Sequence, residues 1–205
     1  MLTHRRYGPR EPLFHQGEPC TRLFALRRGQ VKLTSSLPDG REQIIGVRVP
    51  GQLLGMETLD DKVYPYTAVT LAPVDACQII HRDMLDLLAH DPGVAVRVIR
   101  RLNEELGEAQ ALIRDLGLKT APERVASFIL SLMPLGDPRT GQVPLPLSRL
   151  EISELLGLTE ETVSRVLTRF KRLGITHAPR GRVHILDPAR LGRLAAGADG
   201  DIAPT

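Results

Sequence analysis

Aromatic residues are scarce in this chain of 205 residues, which contains three tyrosines, four phenylalanines and no tryptophan. Proteins that bind single-stranded nucleic acid stack bases on aromatic side chains, so the composition argues against that class of function. The two cysteines, Cys20 and Cys77, form no CxxC pair. One chain therefore has too few thiols for a disulfide scaffold, a four-cysteine zinc site or an all-cysteine iron–sulfur cluster.

Long apolar runs and a strong net charge are also missing. The sequence has no apolar stretch of about 18 residues, and residues 1–6 lack the apolar segment of a signal peptide. We therefore expect a cytoplasmic protein without membrane contact. The 27 basic and 24 acidic residues leave a net charge of only +3, too little for a generally adhesive polycation. Hydrophobic residues make up 42% of the chain, enough to bury a sizeable core.

The first 82 or so residues are divided by glycine and proline into runs of strand length that are rich in β-forming residues. These runs are 23–26, 31–35, 43–49, 66–71 and 76–80. Turn signals about every 8–12 residues predict a β-sandwich or barrel rather than βαβ units. Pro38-Asp39-Gly40 predicts a hairpin turn, because Asp and Gly tolerate a positive φ. We predict an antiparallel jelly roll over residues 1–90 of an α+β protein.

The periodicity becomes helical after residue 81. A short helix is predicted over Met84–Ala89, and a long helix over 91–117 with Pro92 in its first turn. Apolar residues in the long helix are four and three positions apart by turns, which is the spacing of a heptad seam. That predicted seam consists of Ala95, Ile99, Leu102, Leu106, Ala109, Ile113 and Leu116. The helix either packs on its own domain or pairs with a second copy as a parallel coiled coil. The narrow stripe favours the coiled coil and hence a homodimer.

Residues 120–173 contain two capping boxes and a glycine between two short helices. Thr120-Ala121-Pro122-Glu123 predicts the start of a helix through Met133, and Ser148-Arg149-Leu150-Glu151 that of a helix to Leu156. A left-handed Gly157 would then lead to Thr159, the N-cap of a helix that ends at Leu173. This arrangement predicts a helix-turn-helix, whose second helix enters the major groove of DNA.

Positive charge is concentrated around the second of these helices. Residues 162–193 contain eight basic residues and one acidic residue, a net charge of +7 in a chain whose total is +3. Segments 175–177 and 183–186 flank Pro179-Arg180-Gly181-Arg182 and predict a β-hairpin wing. A single-signed surface beside a helix-turn-helix is typical of phosphate contact. We therefore predict a DNA-binding domain over residues 120–195, followed by a disordered tail over 196–205.

Three segments of the chain resemble the CRP/FNR superfamily of transcription regulators. They are Phe14-His15-Gln16-Gly17-Glu18, the turn Pro50-Gly51-Gln52-Leu53-Leu54-Gly55, and Glu161-Thr162-Val163-Ser164-Arg165-Val166-Leu167. The resemblance covers nearly the whole chain. It implies a jelly roll of the cyclic-nucleotide-binding type, a long dimerisation helix and a winged helix-turn-helix that binds DNA. It also implies that RNA polymerase is a partner.

The second helix of the motif is similar to the FNR branch, because Ser164 stands where the CRP branch has Gly. Arg165 has the donors to bind guanine O6 and N7, and Glu161 can accept from cytosine N4. Ser164 would contact a thymine or the adjacent backbone. The resemblance implies an inverted repeat near TTGAT-N4-ATCAA, with half-sites about one helical turn apart. The candidate phosphate contacts are Thr162, Arg169, Lys171, Arg180 and Arg182.

The region that would bind an effector departs from the CRP pattern. Met56, Tyr66 and Thr67 align with the Glu, Arg and Ser that hold ribose and phosphate in cyclic-AMP binders. Ala109 and Gln110 align with the residues that contact adenine. A buried phosphate without an arginine is an uncompensated charge, so we predict that cyclic AMP is not the ligand. Two possibilities stay open: a regulator without an effector, and one gated by an unknown small molecule at these five residues.

The sequence offers little for a cofactor or for catalysis. The resemblance leaves haem open, with His15, His81, His90 or Met56 as candidate ligands, but such residues are more often structural. The cysteine cluster of the oxygen-sensing FNR proteins is absent. A cupin-like metalloenzyme is a remote alternative that would need a His-x-His pair, and neither that nor GxSxG, a P-loop or HExxH occurs. We therefore predict no enzyme activity, no cofactor and no metal site.

Overall fold

The computed structural model describes residues 2–56, 63–137, 139–179 and 181–198. It divides into two compact units, one through Ala109 and one from Gln110 onwards, and the boundary falls within a long helix. The two units are described separately.

The first unit contains two antiparallel sheets. Its strands are β1 (Thr3–Tyr7), β2 (Pro12–Phe14), β3 (Arg22–Arg28), β4 (Val31–Ser36), β5 (Glu42–Arg48), β6 (Leu53–Leu54), β7 (Thr67–Thr70) and β8 (Val74–Ile80). One sheet has the order β1-β8-β3-β6 and the other β2-β7-β4-β5. Each of the five predicted runs forms a strand. The β4–β5 hairpin turns at Gly40, which has a φ of 85°. The predicted jelly roll is confirmed.

Strands β1, β2 and β6 were not predicted, because their sequences carry little β signal. β1 reads Thr-His-Arg-Arg-Tyr, and only Tyr7 at its end is buried. The strand lies at the edge of its sheet and pairs with β8 alone. Backbone hydrogen bonds along a sheet edge do not require apolar side chains, so hydrophobic alternation cannot reveal such a strand.

An aromatic cluster fills the space between the two sheets. Phe14 stacks on Tyr64 with their ring centroids 3.7 Å apart, and the ring of Tyr66 lies 5.7 Å from that of Phe14. The Tyr64 hydroxyl donates a hydrogen bond of 2.6 Å to the Arg22 carbonyl. Desolvation by burial is the main cause that raises the pKa of this phenol. The interior of the roll is therefore packed by its own side chains around these rings.

Two helices cover the outer face of the first sheet. They are α1 (His81–His90) and α2 (Pro92–Leu118). Met84 of α1 and Val98 of α2 form a second buried cluster with Leu23 and Met56, and Leu102 packs against it. α1 is longer than the predicted 84–89, because it begins directly where β8 ends.

The predicted heptad seam of α2 divides between two environments. Ile99, Leu106 and Ile113, seven residues apart, are exposed by 58%, 55% and 70%. Leu102 instead faces the buried cluster of its own chain, and Ala95 is half-buried. Of the remaining predicted members, Leu116 is half-buried and Ala109 is exposed. When a helix has one apolar face that packs on its own domain and a second apolar face that is exposed, the residues of the two faces alternate along the sequence. Their spacing alone does not show which residue belongs to which face.

The second unit continues α2 into a compact helical domain with a small sheet. Its elements are α3 (Ala121–Ser131), β9 (Gln142–Pro144), α4 (Arg149–Leu156), α5 (Glu160–Arg172), β10 (Thr176–His177), β11 (Arg182–Ile185) and α6 (Pro188–Ala195). α3 ends two residues before the predicted Met133, where a 3₁₀ turn over Met133–Leu135 contains Pro134. The wing hairpin β10–β11 gains a third strand, β9, from the segment between α3 and α4, where no strand was predicted.

Candidate nucleic-acid interface

The turn between α4 and α5 is fixed by reciprocal caps and one left-handed glycine. The Ser148 hydroxyl accepts a hydrogen bond of 3.2 Å from the Glu151 N–H, and the Glu151 carboxylate accepts one of 2.8 Å from the Ser148 N–H. Gly157 has φ 60° and ψ 43°, a conformation that favours glycine. Thr159 then caps α5 by accepting from the Thr162 N–H at 3.2 Å. The predicted helix-turn-helix is confirmed.

α5 has one buried face and one exposed, charged face. Its buried residues are Val163, Val166, Leu167 and Phe170. Phe170 has no exposed surface and anchors the helix in the domain core. Glu161 and Arg165 lie on the exposed side, one helical turn apart. The buried face thus fixes which side chains the helix presents to a ligand.

An open groove of about 730 Å³ runs between the first turn of α3 and the exposed side of α5. Its lining contains the three predicted base contacts and two of the predicted phosphate contacts. The lining residues are Ala121, Pro122, Glu161, Thr162, Ser164, Arg165, Val166, Thr168, Arg169 and Arg172. Arg172, Thr168 and the start of α3 were not predicted. The residue pattern of α5 does not show that α3 packs beside it, so the contribution of α3 could not be predicted from that pattern.

An exposed ion pair and two hydroxyl hydrogen bonds involve the groove-lining residues of α5. Arg165 Nη1 lies 3.6 Å from Glu161 Oε1, and both side chains are well exposed. Such an exposed pair contributes little to stability, so both groups are available to a ligand. Thr162 contacts the Thr159 hydroxyl at 2.9 Å, and Thr168 donates to the Ser164 carbonyl at 2.8 Å. The Ser164 side chain itself is half-buried.

Two further predicted phosphate contacts, Lys171 and Arg182, are not among the residues that line this groove. Lys171 is exposed near the end of α5. Arg182 is exposed on β11, where its guanidinium donates to the Gln142 side chain at 3.2 Å. Arg180, which the sequence predicts to lie in the wing, is outside the described residues.

Arg124 is a residue of this domain that sequence reasoning missed. Its guanidinium donates to the carbonyls of Leu116, Lys119 and Leu156 at 2.7, 2.9 and 3.1 Å. These carbonyls belong to the last turns of α2 and α4 and to the link before α3. Carbonyls at helix ends have no partner within the helix and carry partial negative charge, which a guanidinium complements. Arg124 thus joins the end of α2 to the helix-turn-helix.

A second set of polar contacts connects the end of α2 to α3 through Lys119. Lys119 Nζ donates to Asp115 at 2.8 Å and to Ser127 at 2.7 Å. Burial disfavours ionisation of the Asp115 carboxyl, but hydrogen bonds from Lys119 and Arg114 outweigh it and lower its pKa. Asp115 is therefore anionic at neutral pH and holds Lys119 against α3.

The five predicted effector residues have different surroundings. Tyr66 is 4% exposed within the aromatic cluster, and Met56 is 2% exposed in the separate cluster under α1 and α2. The Thr67 hydroxyl accepts from the Gln16 N–H at 3.0 Å. Ala109 and Gln110 are exposed on α2. The buried pair Met56 and Tyr66 thus takes part in core packing, each in its own cluster.

The candidate haem ligands are likewise separated. His15 is exposed, His81 is half-buried at the start of α1, and His90 contacts the Asp86 carbonyl at 2.7 Å. Within the described ranges, no three side chains of the His, Cys, Asp or Glu type gather in a way that would hold a metal ion. None of the helices in the described part of the chain has the length and apolar character that crossing a bilayer requires.

Comparison with known proteins places both units in one family. Residues 4–91 match the cyclic nucleotide-binding domain and residues 123–194 the Crp-like helix-turn-helix domain. Transcriptional activator protein FnrA of Stutzerimonas stutzeri is 37% identical over 191 residues, which are 92% of this chain and 78% of that protein. Transcriptional activator protein anr of Pseudomonas aeruginosa is 37% identical over 190 residues, covering 91% and 78%.

The fold agrees with this comparison. The solved structure of FixK2 from Bradyrhizobium japonicum matches with a TM-score of 0.86 at 28% identity, and the match covers 100% of both chains. The relatives are named as transcriptional activators or regulators, and none of those names denotes an enzyme. The chain belongs to the CRP/FNR family, whose members are transcription regulators with a helix-turn-helix DNA-binding domain and no enzymatic activity.

Proposed function

We propose that this regulator binds, as a homodimer, an inverted repeat near TTGAT-N4-ATCAA, and that it does so without cyclic AMP. The observation that carries the proposal is the exposed pair Glu161 and Arg165 in the groove beside α5. Arg165 donates to O6 and N7 of a guanine, and Glu161 accepts from the N4 amino group of a cytosine. Ser164, which also lines the groove, contacts a thymine or the neighbouring backbone.

Phosphate contacts would position these side chains. Thr162 and Arg169 lie in the groove, and Lys171 and Arg182 extend the basic surface beyond it. Arg180 belongs to the same proposal by its place in the sequence. Contacts of this kind orient the domain on duplex DNA and do not distinguish one sequence from another. RNA polymerase is the further partner that we propose for a regulator of this family.

Dimerisation would supply the symmetry that an inverted repeat requires. Ile99, Leu106 and Ile113 are exposed at heptad spacing in the single chain, a pattern typical of a helix that pairs with a second copy. We propose a sensor-type domain over 1–90, a dimerisation helix over 91–117 and a DNA-binding domain over 120–195.

The packing of Tyr66 supports DNA binding without cyclic AMP. The arginine that would neutralise the nucleotide phosphate is replaced by this phenol, which lies within the aromatic cluster. The cyclic phosphate carries one negative charge, and burial of that charge without a cation is strongly unfavourable. Gating by another small molecule remains the second candidate, with the same five residues as its site.

Base readout is tested by comparing Arg165→Ala with Arg182→Ala on the operator and on random duplex DNA. Arg165→Ala should weaken operator binding by about 1–3 kcal/mol and relax selection at one guanine. Arg182→Ala should weaken both duplexes alike and reduce the dependence of affinity on salt. Fluorescence anisotropy over a salt series measures both quantities. Equal losses for the two variants on both duplexes would contradict the assigned roles.

A further inference from the structure

The exposed face of α2 is a heptad stripe that contains two polar residues. Val96, Ile99, Leu106 and Ile113 are exposed by 55%, 58%, 55% and 70%, and two exposed polar side chains lie between them. Successive positions along this face are three and four residues apart. We call it the outer stripe; its residues are Val96, Ile99, Asn103, Leu106, Gln110 and Ile113.

The opposite side of α2 is already attached to its own domain. Leu102 packs against the cluster beneath the helix. Glu105 forms an ion pair of 3.6 Å with Arg48 of β5, and the Glu108 carboxylate accepts from the Gln52 side chain at 3.1 Å. These contacts fix the rotation of the helix about its axis, so a second copy would meet the outer stripe and not the predicted seam through Leu102.

We propose that Asn103 and Gln110 determine the register, the direction and the two-chain size of the dimer. This inference rests on the dimerisation proposed above. In a parallel coiled coil the outer stripe assigns Val96, Asn103 and Gln110 to a positions and the three remaining residues to d positions. Each Asn103 then faces Asn103 of the second copy, and their side-chain amides can hydrogen-bond to each other.

Other alignments of the two helices would leave these amides opposite apolar groups. A shift by one heptad pairs Asn103 of one copy with Gln110 of the other, but it leaves the remaining Asn103 facing Val96. An antiparallel arrangement places a positions opposite d positions, so that Asn103 meets isoleucine or leucine. A buried polar group without a hydrogen bond is unfavourable, and the parallel in-register pair is therefore preferred.

The d positions add a reason for the polar residues. Ile99 and Ile113 are β-branched, and isoleucine at d shifts coiled coils towards three or four chains. Leu106 is the one leucine at a d position of the outer stripe, and leucine at d favours two chains. An asparagine at an a position restores the two-chain state at the expense of stability. Asn103 and Gln110 thus oppose the tendency of the isoleucines at d positions to form assemblies of three or four chains.

The test uses the full chain with Asn103→Val and Gln110→Val combined, and Arg97→Val as the matched control. Arg97 is exposed on α2 outside the outer stripe. Sedimentation equilibrium gives the oligomeric state.

Register is read from disulfides in a Cys20→Ser, Cys77→Ala background, by mixing chains that carry Leu106→Cys with chains that carry Ile113→Cys. In register these two positions are about 10.5 Å apart along the axis, beyond the reach of a disulfide.

We expect the parent and the Arg97→Val control to be dimers that form 106–106 and 113–113 disulfides only. The double variant should associate at least ~10-fold more tightly, form trimers or tetramers and yield 106–113 disulfides. A double variant that stays dimeric with unchanged disulfides would overturn the inference and leave the proposed function intact. A parent that is monomeric at every concentration would overturn the proposed dimer itself.

Discussion

Arg124 binds carbonyl groups from the ends of two helices with one side chain. Its three hydrogen bonds are 2.7 to 3.1 Å long and reach residues up to 32 positions away in sequence. A guanidinium suits this place because it is a cation whose donors point in fixed directions. By contrast, the Arg165 guanidinium lies 3.6 Å from the Glu161 carboxylate and both side chains are well exposed, which leaves their polar atoms accessible to a ligand.

Substitution of Arg124 should therefore destabilise the second unit without removing a DNA contact. We expect Arg124→Met, which keeps the length of the side chain, to lower the free energy of unfolding by about 2 kcal/mol, because buried carbonyls lose charged donors. Urea denaturation of the full chain measures the change. Arg149→Met, at an exposed position of α4, is the control and should be nearly neutral. A neutral Arg124→Met would show that water replaces the guanidinium without loss.

Helix α2 has two apolar faces with different surroundings. Its inner face completes the hydrophobic cluster under the roll, and its outer stripe leaves isoleucine and leucine exposed in the single chain. Exposed apolar residues at heptad spacing are unfavourable in a monomer and typical of a surface that another helix covers. In the proposed dimer, the same helix would link the packing of one chain to the assembly of two.

Leu106 and Leu102 separate these two roles. Leu106→Glu should dissociate the dimer and abolish operator binding, while the unfolding free energy of the monomer changes by less than about 0.5 kcal/mol. Leu102→Ala should keep the dimer but lower stability by about 1 kcal/mol or more. Sedimentation and urea denaturation measure the two effects. If Leu106→Glu remained dimeric, the outer stripe would not be the interface.

At the scale of the whole molecule, charge and aromatic packing are unevenly distributed along the chain. Residues 162–193 carry a net charge of +7 in a protein of +3, so the remainder of the chain is net negative. The roll of the first unit uses Phe14, Tyr64 and Tyr66 to fill its interior. Positive charge is thus concentrated in one unit, and the other has an interior filled with aromatic rings.

Cyclic AMP should therefore have no effect on DNA binding by the intact protein. We expect a saturating concentration of the nucleotide to change operator affinity by less than about twofold, since a ligand shifts an equilibrium only through differential affinity for two states. Anisotropy titration with and without cyclic AMP measures this. The Tyr66→Arg, Thr67→Ser variant is the matched comparison, because it restores two of the residue types expected in cyclic-AMP binders. A tenfold gain for the parent protein would contradict the prediction.

Features set by a few neighbouring residues could be predicted from the sequence, and features set by contacts between distant segments could not. Gly157, Thr159 and the Ser148–Glu151 box are signals within a few residues, and the helix-turn-helix that they predicted is present. The edge strand β1 and the third wing strand β9 were missed, because their pairing partners lie elsewhere in the chain. The heptad spacing of α2 was recognised, but the face on which Leu102 lies depends on what packs against it.

The sequence by itself determined the kind of protein, because the turn residues, caps and charge run that mark the roll and the DNA-binding domain act over short distances. Three features depend on the three-dimensional packing: which side of α2 is exposed, the hydrogen bonds of Arg124 to two helix ends, and the start of α3 as one wall of the groove. These features arise where segments distant in sequence meet. Their free energy comes from burial and hydrogen bonds between those segments, which local composition does not encode.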